Sequence, residues 1–188
     1  MNPTEADLWK SVVLDEVFEA LAESAELTAV MVFKGARVLN IRLGGGRQSL
    51  DIDSNLRQSF VNQHPDRREQ REWLEREMSR TIRRHFESRE PVQFELNGLR
   101  LRQKPPTNHP RGWNAFETRI NINDLTKQVK GLPALRIDLA APEELLEDSL
   151  APLTIGSRQV WAYTLERIAG EKLRAFLSSL PSHRKKMQ

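Results

Sequence analysis

Two aspartates one residue apart, Asp51 and Asp53, close the run Ser49-Leu50-Asp51-Ile52-Asp53. Side chains at i and i+2 of a strand leave the same face. The alternation of Leu50 and Ile52 with Ser49, Asp51 and Asp53 predicts such a strand, apolar on one side and acidic on the other. Carboxylates placed this way can share a divalent cation, and Mg²⁺ takes hard oxygen ligands, usually one or two carboxylates with phosphate oxygens and water. That is the minimum equipment for metal-assisted phosphoryl or nucleotidyl transfer. An isolated Asp-x-Asp pair is more often a solvated strand face or a turn, so the flanking residues decide. An apolar run over residues 28–33 predicts a buried strand that leads into Lys34 and Gly35. Val38, Leu39, Ile41 and Leu43 then predict a short apolar helix, and Gly44, Gly45, Gly46 and Arg47 stand just ahead of the carboxylates. Glycines let backbone N–H groups approach phosphate closely, and an arginine pairs with its oxygens.

Strand, glycine turn, short helix, Gly-rich loop and acidic strand together resemble the active-site entry of polymerase-β-like nucleotidyltransferases. More narrowly they resemble the AbiEii/AbiGii toxin family, with its Lys-Gly-Gly-Thr-Ala-Leu and Arg-x-Ser-x-Asp-x-Asp motifs. This chain reads Lys34-Gly35-Ala36-Arg37-Val38-Leu39, without the second glycine and the threonine. A later family segment, Ser-Leu-Glu followed by Ala-Glu-Lys-Leu-Arg-Ala, is matched by Leu165-Glu166 and by Glu171-Lys172-Leu173-Arg174-Ala175. The resemblance spans roughly residues 30–177. It implies an α/β (α+β) fold, a mixed sheet flanked by helices, forming one nucleotidyltransferase-like domain over residues 1–188.

The resemblance also implies a function: an Mg²⁺-dependent transfer of a nucleotide from an NTP to an RNA, such as tRNA, or to a protein. The enzyme would be the toxin of a toxin–antitoxin or phage-defence pair, with a cognate antitoxin as partner. Asp51 and Asp53 would bind one or two Mg²⁺ ions. The fold's third carboxylate comes from a neighbouring strand; Asp138, between Ile137 and Leu139, is the candidate, with Asp124 as its competitor. Ser49, Gly35 and Arg47 would hold phosphates. Lys34 and Lys172 would be electrostatic partners of the triphosphate, and Glu166 would share an inward-leaning helix face with Lys172. In the family an Arg-Asp-x-x-Asp segment follows; here the sequence ends in the basic tail 182–188, so either the sequence is truncated relative to the family or this member lacks that segment.

The remaining sequence supplies the frame. A length of 188 residues suits one domain with a sizeable core. The absence of cysteine excludes disulfides, zinc–thiolate sites and thiol nucleophiles. No apolar run reaches membrane-spanning length and the N-terminus lacks a signal-peptide pattern, so the expected location is cytoplasmic. Residues 4–24 predict an amphipathic helix, with Leu8, Val12, Phe18 and Leu21 on its apolar side and Thr4 as cap. Residues 57–65 read as a connection, and 67–87 as a long helix with Leu74, Met78, Ile82 and Phe86 buried every fourth position. Its arginines interleave with glutamates, as on a solvated face laced with ion pairs; the rival reading is a ridge for RNA or a partner. Asn97-Gly98 predicts a hairpin within 91–104, residues 103–113 a loop with His109 and Trp113, and 116–122 a strand. Residues 127–132 read as a turn, 135–139 as a strand entering an acidic loop at 142–148, and 159–163 as a strand. Thr164 caps a helix over 165–177. Two other classes remain compatible with these residues: a fold-retaining interaction module without activity, and a plain RNA-binding protein.

Overall fold

A computed structural model describes residues 3–45, 49–106, 115–127, 132–140, 142 and 146–180. The chain enters through helix α1 (Pro3–Glu23) and the short α2 (Ala25–Val30), then strand β1 (Met31–Lys34) and helix α3 (Gly35–Leu43). Strand β2 (Ile52–Leu56), α4 (Gln58–Gln63) and α5 (Arg67–Glu87) follow, then β3 (Phe94–Lys104), β4 (Ala115–Asp124) and β5 (Leu135–Ala140). Strands β6 (Leu150–Ile155) and β7 (Arg158–Tyr163) lead to α6 (Leu165–Ser179). The strands make one mixed sheet in the order β3-β4-β5-β2-β1-β7-β6. β2 runs antiparallel to β1 and parallel to β5, and β1 runs parallel to β7.

Helix α5 keeps the predicted bounds because both ends are marked. Asp66 accepts from the N–H groups of Arg68 and Glu69, and Leu74, Met78, Ile82 and Phe86 bury their stripe against the sheet. Its charged face is solvated, with pairs such as Arg68–Glu72 and Arg80–Glu77. In α1 the buried stripe is Trp9, Val13, Leu14, Val17, Phe18 and Leu21, whereas Leu8 and Val12 are exposed. Pro3, not a Thr4 cap, opens this helix, proline being suited to a first turn whose N–H is unpaired. Phe18 meets Phe33 of β1 edge-to-face at 4.7 Å, which fastens α1 beneath the strand that leads to the site.

Several local expectations are overturned. The strand expected over 28–33 is half helix: Ser24 accepts from the Leu27 N–H at 3.2 Å and starts α2, so β1 begins only at Met31. A cap outweighs the β-propensity of Thr28 and Val30. Asn97-Gly98 is no hairpin; β3 runs straight through, with a register shift between Leu96 and Gly98 against β4. The turn-forming pair is used as a bulge. The connection at 57–65 contains α4, whose Phe60 is buried and lies 5.0 Å from the Trp73 ring. Strand β6 went unread, its Pro152 being tolerated because β6 is a sheet edge. The loop residues His109 and Trp113, most of the turn at 127–132, part of the acidic loop and the basic tail lie outside the described residues.

Candidate active site

Strand pairing sets the site. Asp53 is the register partner of Lys34 on the antiparallel side and of Asp138 on the parallel side, so the three side chains leave one face of the sheet in a row. Asp51 does not sit on the strand as expected. β2 starts at Ile52, and Ser49 to Asp51 form a bend in which Leu50 is partly exposed. The bend still turns Asp51 inward: one ligand oxygen from each of Asp51, Asp53 and Asp138 lies within 4.8 Å of the others. Ser49, expected at phosphate, instead directs its hydroxyl to Asp51 Oδ1 at 2.9 Å and holds that carboxylate in place.

Gly35 makes room for the row. Its φ is +81°, and a Cβ there would stand 2.0 Å from Asp53 Oδ2. Only glycine lets the first turn of α3 close against Asp53, and that turn is the positive end of the helix. The acidic cluster is nevertheless short of positive charge. Burial, with the charges of Asp51 and Asp138, pushes the Asp53 carboxyl up to about 6, while Lys34 and Lys172 pull it part of the way back. Lys34 Nζ lies 3.7 Å from Glu171 Oε1 and 5.5 Å from the Tyr163 ring centre. Lys172 is exposed on α6 and acts on Asp53 through space. Asp138 is half-buried and accepts from Arg136 at 3.1 Å.

Two expected members fall elsewhere. Asp124 accepts from Trp9 Nε1 at 2.9 Å and from the Thr126 hydroxyl at 2.6 Å. Burial would raise its carboxyl, but these hydrogen bonds outweigh burial and hold it below the usual range. It fastens α1 to the end of β4 and is no rival to Asp138. Glu166 does not share a face with Lys172. Six helical residues turn the direction by about 600°, about 120° short of two full turns; Glu166 is exposed and its charge acts on Arg42, which donates to the Tyr163 and Ala151 carbonyls, each at 2.9 Å. Arg47 lies outside the described residues.

One supporting residue escaped sequence reasoning. Arg37 is only 6% exposed; its guanidinium donates to Asp15 of α1 and to the Ser49 carbonyl at 2.6 Å. Burial lowers its pKa, against the pull of Asp15 and Asp51. It therefore anchors the bend that carries Asp51. Nothing local signals this, because the Asp15 partner is 22 residues away.

The family model for the nucleotidyl transferase AbiEii toxins of type IV toxin–antitoxin systems matches residues 18–188. The chain belongs to that family. Among solved structures, this AbiEii-family chain is similar to JHP933 from Helicobacter pylori, with 16% identity, a TM-score of 0.56, and coverage of 92% of this chain and 57% of that one. It is also similar to an H. pylori protein proposed to be a nucleotidyltransferase, with 15% identity, a TM-score of 0.55, and coverage of 92% and 59%. These likenesses show a shared fold, and the chain spans less than two thirds of the length of either. No curated protein matches it. Among the described residues no helix is long and apolar enough to cross a membrane.

Proposed function

We propose that this AbiEii-family chain transfers a nucleotide from an NTP to a hydroxyl of an RNA or protein acceptor, as the toxin of a toxin–antitoxin pair acting in the cytoplasm. The observation that carries the reading is the convergence of Asp51, Asp53 and Asp138 from two neighbouring strands and the bend ahead of one of them. The donor set is all oxygen, as Mg²⁺ requires. The raised Asp53 carboxyl supports the fit, since it marks a site where anions outweigh cations. Asp51, Asp53 and Asp138 would hold one or two Mg²⁺ ions. Bound there, Mg²⁺ supplies charge neutralisation for a triphosphate.

The chain's own residues do the rest. Ser49 and Arg37 fix Asp51, and Gly35 admits phosphate oxygens close to the backbone. Lys34 and Lys172 face the charge of the triphosphate. The acceptor oxygen bonds to the α-phosphorus while the α–β phosphoanhydride bond breaks. Pyrophosphate leaves, and the hydroxyl proton passes to a carboxylate of the trio, the role for which Asp138 is the candidate. A cognate antitoxin is the expected protein partner.

The test is incubation with each NTP labelled at its α-phosphate, together with Mg²⁺ and total cellular RNA or protein. Wild type should label one acceptor class with one preferred NTP. The Asp51→Asn, Asp53→Asn double variant should lose on the order of 10³-fold or more in rate, and a chelator should abolish labelling. Transfer that survives the double substitution removes the mechanism.

A further inference from the structure

The face of the sheet turned away from α1 and α5 carries charge in registered rows. One row runs Lys34, Asp53, Asp138, Glu117, Arg102 across β1, β2, β5, β4 and β3. The next is three arginines directly opposite one another, Arg136 on β5, Arg119 on β4 and Arg100 on β3. Like charges facing across strands are destabilising, so such a row needs a compensating anion. The protein supplies it only in part. Arg136 pairs with Asp138 at 3.1 Å and Glu117 at 3.2 Å. Arg100, Arg102 and Arg119 are exposed, and none of their guanidinium groups makes a hydrogen bond or ion pair with another described residue, although the charge of Arg119 helps lower the Glu117 carboxyl.

The place of the row is informative. Cations flank the carboxylates on two sides: Lys34 and Lys172 on the β1 and α6 side, and the arginines on the β5-β4-β3 side. A triphosphate engaged with the first pair leaves the second group to a different polyanion. With strands about 4.8 Å apart the row extends about 10 Å, beyond the reach of a nucleotide's own phosphates. On the β5-β4-β3 part of this face no large exposed apolar side chain stands among the described residues; the exposed Trp161 of the same face lies on β7, on the far side of the carboxylates. Around the arginine row the buried anchors on which protein interfaces depend and the aromatic platforms that stack bases are both missing. A flat, open, cationic surface without them suits a phosphodiester backbone.

We propose that Arg100, Arg119 and Arg136, with Arg102, seat the backbone of an RNA acceptor and lead its reacting hydroxyl to the carboxylates; this rests on the nucleotidyl-transfer reading and names its acceptor class. Recognition is through phosphates, so it depends on salt and on RNA length more than on sequence.

The test uses the full chain and a fluorescein-labelled 20-nucleotide single-stranded RNA, followed by anisotropy at several salt concentrations without NTP or metal. Wild type should bind with a steep salt dependence. Arg100→Glu, Arg119→Glu should weaken binding at least 10-fold, and Arg100→Gln, Arg119→Gln should make the slope of log K against log salt shallower by about 1.4, two phosphate contacts at about 0.7 each. Both variants should unfold at or above the wild-type thermal midpoint, since they relieve a like-charge row, and the apparent KM for RNA should rise with little change in kcat. Because neither NTP nor metal is present, Asp51→Asn, Asp53→Asn should bind the RNA at least as tightly as wild type, whether or not transfer occurs. Unchanged RNA affinity and slope in folded variants would overturn the proposal. So would label delivered to protein at a rate indifferent to the charge reversal, although nucleotidyl transfer itself would then stand.

Discussion

Asp53→Asn should make the metal-free protein more stable above pH 6 while removing its activity. The folded Asp53 carboxyl lies at about 6 against an ordinary 3.8, so between these values the native state holds a proton that the unfolded chain releases. Stability without metal therefore falls as pH rises from about 4 to about 6, and the whole penalty is present above that. A difference of this size would amount to roughly 3 kcal/mol at most. Because the carboxylate is partly open to solvent screening, about 1–2 kcal/mol is the expected gain on substitution, or a rise of about 3–6 °C in Tm for a chain of this size. Thermal unfolding in a chelator from pH 4 to pH 8 checks it: the variant should gain at pH 7 and converge with wild type near pH 4. An Asp53→Asn protein less stable than wild type at every pH would contradict the electrostatic reading. The trade is the expected one for a site built from crowded like charges.

Gly35→Ala should be the most damaging single-methyl change near the site. At φ +81° alanine is strained, and its Cβ would stand 2.0 Å from Asp53 Oδ2 and 2.8 Å from Asp53 Cβ, so either α3 or Asp53 must move. Strain and overpacking each cost about 1–3 kcal/mol, and a displacement of about 1 Å at the reacting centre costs about 100-fold in rate. Urea unfolding and the labelling rate should both register it. Gly156→Ala separates the two effects. That glycine has φ +55°, but the nearest obstacle is Glu19 Oε1, the end of a flexible side chain. It should lose about 1 kcal/mol from backbone strain and keep the transfer rate. Equal rates for Gly35→Ala and wild type would show that the contact with Asp53 does not matter.

How much of this was legible in the sequence follows from how far apart the interacting residues are. The Asp51–Asp53 spacing, the Lys34-Gly35 turn and the Lys172 segment are local, and their resemblance to the AbiEii family led to the right fold and family. Helix α5 was legible because cap, stripe and end agree. Where two local signals competed, the weaker was read: Asn97-Gly98 as a turn when β4 needed a continuous partner, and residues 28–30 as strand when Ser24 could cap a helix. The face shared by Glu166 and Lys172 failed on simple helical geometry. Arg37 and the arginine row were out of reach for another reason. Their partners come from α1, β3, β4 and β5, and only the strand register brings them together.

The account depends on the acidic trio acting as a cation site, and Mn²⁺ titration followed by electron paramagnetic resonance measures that directly, with no need to know the NTP or the acceptor. Wild type should deplete the free-ion signal with one or two ions bound per chain. Asp51→Asn, Asp53→Asn, although folded, should leave the signal at its protein-free intensity, and Mg²⁺ should displace the wild-type ions. Equal Mn²⁺ binding by wild type and the double variant would contradict the account, leaving the fold and family membership without this chemistry.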